Sequence, residues 1–233
     1  MGEGLGMMRP ARLLAGLTAA LLLAGCSGGV DAPTLQLQVI DAAREAISAR
    51  TNPAAERPPV TRAVLNTLDG TFMEVTRLRE DQTAFLYPSY TTRDSGPGEI
   101  VVWRTDSNET VTVRGGVLIA TRGLGGDLLS TEVLLAGSGL GPAAGGARIF
   151  QIFGGNNAQT TLTLACEVTD LGLETIEIIE VRHATRHLRE QCQGSSGAIT
   201  NDYWIDAGRG LIWQSRQWAG PHVGYLRLRQ VTD

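Results

Sequence analysis

Residues 100–121 read IVVWRTDSNETVTVRGGVLIAT, and this stretch predicts three consecutive β-strands. Its apolar runs, at residues 100–105, 110–114 and 117–121, are rich in β-branched residues and partly alternate in polarity. Residues 106–108 can form the first turn, and Gly115-Gly116 is typical of a two-residue hairpin. The stretch therefore predicts an antiparallel meander.

The β pattern continues to the C-terminus. After the meander we predict a loop that enters a short helix at residues 122–129, followed by a Gly-rich stretch. The further strands are predicted at residues 160–169, at 175–188 after a turn near Leu171-Gly172, at 202–205 and 211–218 as a hairpin, and at 225–231 as an edge or final strand. Strands that follow one another without helical crossovers exclude a parallel α/β sheet.

The segment before the β region predicts one helix. Apolar side chains at positions 35, 39, 43 and 47 share one helical face, Thr34 can cap the helix, and the Pro-rich residues 52–59 end it. The predicted fold is mainly β: an antiparallel, barrel-like sheet with an N-terminal amphipathic helix and short helical turns. We expect residues 34–233 to form one domain.

The N-terminus has the pattern of an export signal. Arg9 and Arg12 precede an apolar run of about a dozen residues, and a spanning helix would need about 20. The run ends in Leu-Ala-Gly-Cys at Cys26, which resembles the lipobox of bacterial lipoproteins. We predict that residues 1–25 are a removed signal peptide, that Cys26 carries lipid, and that residues 26–33 are a flexible tether. A short core helix with a buried cysteine is the alternative.

The residue after the lipidated cysteine predicts the membrane. Ser27 stands where an aspartate would favour retention in the inner membrane, so we expect the outer membrane and its periplasmic face. Several acyl chains on one cysteine suffice for stable anchoring.

Composition excludes several classes of function. The net charge is −4 and no basic patch is evident, so a nucleic-acid partner is not expected. The chain has no lysine, which excludes a P-loop and Schiff-base chemistry.

Two cysteines, Cys166 and Cys192, remain in the exported part. An even pair in an oxidising compartment predicts a disulfide. A metal site or a catalytic thiol is the alternative, but no Cys-x-x-Cys motif supports it.

The histidines invite a metal reading. His183 and His187 have the spacing of a helical metal pair, but their surroundings alternate like a strand, which would separate them by about 13 Å. We therefore expect a solvent-facing pair and predict no metal and no cofactor.

Acidic residues invite an enzymatic reading. They are Glu174, Glu177, Glu180, Asp202 and Asp206. Glycoside hydrolysis uses two such acids, but the outer face of a strand gives the same pattern. No catalytic residue is predicted.

Two regions are candidate contact surfaces. Trp204, Trp213, Trp218 and Arg216 could form a sugar-binding face, because pyranose rings stack on aromatic side chains, or they could belong to the core. The Gly-rich loop from Arg122 to Asp127 is the second candidate.

Three segments together resemble the group 4 capsule polysaccharide lipoprotein family of the YjbF/GfcB type. They are the lipobox, VLIATRGLGGDL at residues 117–128, and YWID at 203–206 with IWQSRQWAGP at 212–221. The resemblance implies a mainly β fold and a role in the secretion of capsule or exopolysaccharide. It implies no catalytic residues.

These observations favour an outer-membrane lipoprotein that assists polysaccharide export or assembly by binding glycan or export proteins. Two alternatives are a carrier of lipid or lipoprotein with a curved sheet, and a glycan-modifying enzyme with an Asp/Glu pair.

Overall fold

The structure, a computed structural model, describes residues 60–153 and 158–232. The predicted signal peptide, Cys26, the tether and the N-terminal helix lie outside these residues. Among the described residues, no helix has the length and apolar character needed to cross a bilayer.

The described chain is almost entirely β-sheet. One short helix precedes twelve strands: α1 (Arg62–Leu65), β1 (Met73–Arg77), β2 (Gln82–Thr92), β3 (Ile100–Arg104), β4 (Thr110–Arg114), β5 (Val117–Arg122), β6 (Leu128–Glu132), β7 (Gly145–Phe153), β8 (Gln159–Ile178), β9 (Val181–Gly194), β10 (Gly197–Asp206), β11 (Leu211–Trp218) and β12 (Tyr225–Gln230). The mainly β prediction is confirmed.

The strands form one antiparallel sheet in the order β5-β4-β3-β2-β1-β12-β11-β10-β9-β8-β7-β6. Strands that follow one another in the chain are neighbours in the sheet, except β5 and β6, which lie at its two ends. The pairing of β1 with β12 joins the first and the last strand of the chain. The two ends of the sheet, β5 and β6, come side by side, so the sheet is a nearly closed barrel.

The predicted meander is β3-β4-β5, with its reversal at Gly115-Gly116, where both φ angles are positive. The predicted hairpin of β10 and β11 is also present.

Two sequence predictions are wrong. The stretch after Arg122 leads into strand β6, because its residues pair with β7 and alternate in burial. The reversal near Leu171-Gly172 is a register shift inside β8. The chain turns later, at Ile179-Glu180, where φ is 43° and 67°, as a two-residue hairpin requires. Of the two alternatives for the last strand, the structure favours the second: β12 is the final strand of the chain, and it lies inside the sheet and not at an edge.

The main core fills the barrel. Alternation along β12 shows how it forms: Leu226 and Leu228 are buried inside, while Arg227 and Arg229 lie on the outer face and contact Glu74. The other members include Met73, Val75, Leu86, Trp103, Val111, Leu118, Leu128, Phe150, Ile152 and Leu164.

A second, smaller core lies on the outer face. Leu65 of α1 packs there with Trp213 and with Ile176 and Ile178 near the end of β8. Arg62 of the same helix donates to the carbonyls of Ile178, Ile179 and Val231 at 2.7–3.2 Å. The helix thus fixes the tip of the β8-β9 hairpin to the end of the chain.

Candidate functional site

The seam between β5 and β6 is the place where the barrel is incomplete. Among the described residues, no backbone ladder joins these two strands. The Arg122 side chain connects the two strands instead, because its guanidinium donates to the carbonyls of Thr121, Leu128 and Leu129. The side chain therefore fastens one end of the seam.

Asp127 organises the loop at the same end. Its carboxylate accepts hydrogen bonds from the backbone of Gly123 and Leu124, at 2.9 and 3.1 Å, and from the Thr121 hydroxyl at 3.2 Å. Arg122 and Asp127, predicted as contact residues, are thus both bonded within the seam. Their contact role stays a prediction.

The other end of the seam is held by close backbone approaches. The nitrogen of Gly141 donates to the carbonyl of Gly115 at 2.9 Å. A Cβ on Gly115 would stand only 2.1 Å from the carbonyl oxygen of Gly139. The loop after β6 therefore lies directly on the β4-β5 turn.

Between these two ends an open groove of about 640 Å³ crosses the seam on the outside of the barrel. We call it the seam groove. It is lined by residues of five segments: Asp94, Ser95, Gly96, Pro97, Arg114, Ile119, Thr131, Glu132, Val133, Leu134, Leu135, Ala147 and Ile149.

The seam groove has aliphatic walls and a charged rim. Leu134 is 61% exposed, so its side chain stands free in solvent. At the rim, both terminal nitrogens of Arg114 donate to the Asp94 carboxylate, at 2.8 and 2.5 Å. These bonds and that of Gly96 hold the pKa of Asp94 well below its usual range. Thr131 adds a buried hydroxyl with no hydrogen-bond partner among the described residues.

Behind the groove lies a buried ion pair. A small cavity shares Val133, Leu134 and Ala147 with the seam groove and also touches Arg148 and Glu190. The Arg148 guanidinium is hydrogen-bonded to the Glu190 carboxylate, and both side chains are almost completely buried.

Neutral polar groups complete this buried network. Arg148 also contacts the Tyr203 hydroxyl at 3.2 Å, and Asn201 donates to Glu190 at 2.7 Å. Burial raises the pKa of Tyr203. Burial alone would lower the pKa of Arg148, but Tyr203 and Glu190 raise it. Gln217 links the network to β5 by accepting from the Leu118 nitrogen.

The predicted disulfide borders the same network. Cys166 and Cys192 face each other on β8 and β9 with their sulfurs bonded at 2.01 Å. The Glu190 carboxylate lies within 4.8 Å of both sulfurs. Because the sulfurs are bonded to each other, they cannot act as thiolate metal ligands.

The aromatic side chains on the outer face already have ring partners. Trp204 stacks on His187 with ring centroids 4.4 Å apart, and Trp213 packs on His183 at 3.7 Å. Trp213 is only 3% exposed and lies in the second core. A sugar ring would find one face of each indole covered.

The remaining predicted contact residues are half-buried. Trp218 packs edge-on against Phe150 of the main core at 5.1 Å. The Arg216 guanidinium lies 3.6 Å from the centre of the Tyr225 ring and donates to the carbonyl of Thr200. The glycan-contact role of these residues stays a prediction.

Contrary to the prediction from the sequence, His187 does not face solvent. Its Nδ1 lies 2.8 Å from Glu174 and its Nε2 lies 2.9 Å from Asp202, which also accepts from Arg189. The strand position of His187 is as predicted, but the residue is only 9% exposed, and Trp204 stacks on its ring.

Sequence reasoning missed the seam groove. Asp94 and Arg114 are 20 positions apart, and Glu132 comes from the other end of the sheet. Only the closure of the barrel brings them together. The sole local signal is the Asp94-x-Gly96 turn, in which the Asp94 carboxylate accepts from the Gly96 nitrogen.

Comparison with known proteins adds two findings. A profile of the group 4 capsule polysaccharide lipoprotein family, gfcB/YjbF, matches residues 34–231. The crystal structure of the hypothetical lipoprotein YmcC from Escherichia coli (K12) is similar, with a TM-score of 0.61 and 19% identity over 87% of this chain and 98% of that one. At this identity the likeness shows the fold. No curated protein matches at a significant level.

Proposed function

From the membership of this chain in the group 4 capsule polysaccharide lipoprotein family, we propose that it is an outer-membrane-anchored lipoprotein facing the periplasm. It assists the export or assembly of capsule or exopolysaccharide by binding, without catalysing a reaction. The anchor is the lipid on Cys26.

The seam groove is the observation that carries the binding role. It is open to solvent, large enough for a small ligand, and built on a rigid barrel. Aliphatic walls suit the C–H faces of a sugar, and the Asp94–Arg114 pair offers hydrogen bonds to hydroxyls. Trp204 and Arg216 on the outer face are the weaker candidate contacts, because the His187 ring covers one face of Trp204 and the Arg216 guanidinium already lies on the Tyr225 ring.

The Asp94 carboxylate of the groove supports binding rather than acid–base chemistry. A glycosidase needs one protonated acid at working pH. Arg114 keeps Asp94 ionised, so Asp94 does not serve as the proton donor. On the outer face, Glu174 and Asp202 are both engaged by His187.

The export role is tested in a deletion strain that carries either the intact gene or Cys26→Ala. We expect surface polysaccharide to fall on deletion and to return only with the intact gene, because the unlipidated chain is not held at the membrane. Quantity and chain length of the surface polysaccharide are the measurements. Unchanged polysaccharide on deletion would overturn the proposal.

The groove is tested with a pair of matched substitutions. Leu134→Glu places a charge in the seam groove, and Tyr90→Glu places one on a residue of equal exposure, 61%, outside it. We expect Leu134→Glu to reduce surface polysaccharide several-fold at normal protein level, while Tyr90→Glu has no effect. Equal polysaccharide in both strains would remove the groove from the proposal.

A lipid carrier is the second candidate, favoured by the aliphatic side chains of Ile119, Leu134, Leu135 and Ile149 in the same groove. The test is whether the purified chain binds a fluorescent fatty acid and whether Leu134→Glu abolishes that binding. If both hold, and deletion leaves surface polysaccharide unchanged, lipid carriage becomes the leading function.

A further inference from the structure

The far half of β8 is an unpaired sheet edge. Strand β7 pairs with β8 only as far as Glu167, and the nitrogen of Val168 still donates to Ala144. From there to its end, β8 pairs only with β9. Residues 169–178, which we call the distal edge, therefore have no second partner strand among the described residues.

The backbone groups that this edge offers can be identified. The two-residue turn at Ile179-Glu180 is closed by the Ile178–Val181 pair, which exchanges hydrogen bonds across the hairpin. Hydrogen-bonded and non-hydrogen-bonded pairs alternate, so Leu173, Thr175 and Glu177 direct their N–H and C=O groups away from β9. The hydroxyl of Thr185 on β9 donates to the carbonyl of Glu174 at 2.6 Å, so this carbonyl is directed toward β9, as the register requires.

The side chains of the same edge are exposed. Leu173 is 84% exposed and Leu171 is 47% exposed, the former being the most exposed large apolar side chain described. Nearer the hairpin tip, Ile176 and Ile178 are buried in the second core. Their packing holds the edge in place.

The charge of the edge is of one sign. Residues 159–180 contain Glu167, Asp170, Glu174, Glu177 and Glu180 and no basic residue. The basic residues of this hairpin are on β9, where Arg186 pairs with Asp170. A second copy of the edge would bring acids against acids, which disfavours self-pairing and favours a basic partner.

We propose that the distal edge of β8 is a docking site for an extended, basic segment of a partner protein, which adds to the sheet as a further strand. Backbone hydrogen bonds to Leu173, Thr175 and Glu177 give the affinity, and Leu173 is the apolar anchor. The acidic side chains select a partner with alternating Arg or Lys. This inference goes beyond the proposed polysaccharide role and does not depend on it.

The test uses the full chain in detergent and two synthetic ten-residue probes, one of alternating arginine and valine and one of alternating glutamate and valine. Fluorescence anisotropy measures binding, and hydrogen exchange reports the amides of residues 173, 175 and 177. We expect the basic probe to bind at least about tenfold more tightly, with slower exchange at these three amides and weaker binding at high salt.

Two variants make the result specific. Thr175→Pro removes an outward N–H without touching the bonds to β9, and Leu173→Ser removes the exposed apolar side chain without adding a charge. Each should weaken the basic probe about tenfold or more, while Thr175→Val should bind as the unaltered chain does. Equal binding of both probes, or unaltered binding by Leu173→Ser, would overturn the proposal. A dimer that Thr175→Pro dissociates would replace the basic partner with a second copy.

Discussion

At the scale of single residues, the buried Arg148–Glu190 ion pair is the centre of a polar network inside the barrel. Such a pair contributes little net stability relative to apolar side chains, but removal of one partner leaves an uncompensated charge. Tyr203, Asn201 and Gln217 surround the pair with hydrogen bonds, so the polar centre has one arrangement.

We expect Arg148→Met to lower the free energy of unfolding by about 3–5 kcal/mol, because Glu190 would remain buried without its cation. Urea unfolding followed by tryptophan fluorescence measures the change. Arg186→Met is the control, since its pair with Asp170 is about half-exposed and solvent screens it, so the loss should be much smaller. Similar losses in both variants would contradict a special role for the buried pair.

The sequence predicted some residues of this interior and not others. Cys166 and Cys192 were identifiable because a cysteine pair in an oxidising compartment has one common use. Glu190 and Gln217 were not, because polar residues in a strand normally mark the outer face. Their inward orientation depends on partners from four different strands, which local alternation does not reveal.

At the scale of elements, turns and close approaches position the seam groove. The β4-β5 turn and the loop after β6 meet at Gly115 and Gly139, and this contact fixes one end of the groove.

A pair of glycine substitutions tests this contact. Gly115 and Gly125 both have positive φ, 53° and 84°, so alanine is strained at each by about 1 kcal/mol. Only at Gly115 would the Cβ meet the Gly139 oxygen, whereas Gly125 has open space around it. We expect Gly115→Ala to lower the melting temperature clearly more than Gly125→Ala. Equal decreases in melting temperature would mean that the loop around Gly139 moves away from the new Cβ without a loss of stability.

Element types were largely predictable, and their ends were not. The meander followed from β-branched runs and a Gly-Gly turn. The reversal of the long hairpin was misplaced because Leu171-Gly172 has turn chemistry, while the true turn uses Ile179 and Glu180, which rarely adopt positive φ. The second core forms there and outweighs that local preference.

At the scale of the whole molecule, acid stability follows from ion pairs on the surface. Asp94 and Asp170 both have a lowered pKa, the first mainly through Arg114 and the second mainly through the Gly172 nitrogen and then Arg186. A lowered pKa in the folded state contributes stability above the ordinary value of 3.8 and loses it as the pH falls through the lower, folded value.

We therefore expect the free energy of unfolding to decrease as the pH drops below about 4. The decrease should be less steep in the double variant that carries both Asp94→Asn and Asp170→Asn. Urea titrations between about pH 5 and pH 2 give the slope. Asp69→Asn, at an exposed aspartate without an ion pair among the described residues, should keep the slope of the unaltered chain. An unchanged slope in the double variant would show that other groups control acid unfolding.

The insertion of β12 between β1 and β11 has a consequence for how the molecule folds. Strand β1 pairs with β12, and the nitrogen of Val231 donates to the carbonyl of Phe72. These partners are separated in sequence by nearly the whole described chain. Contacts between such distant parts of a chain form slowly, typically in milliseconds to seconds. A chain made from its N-terminus therefore leaves β1 without its second neighbour until β12 has been made.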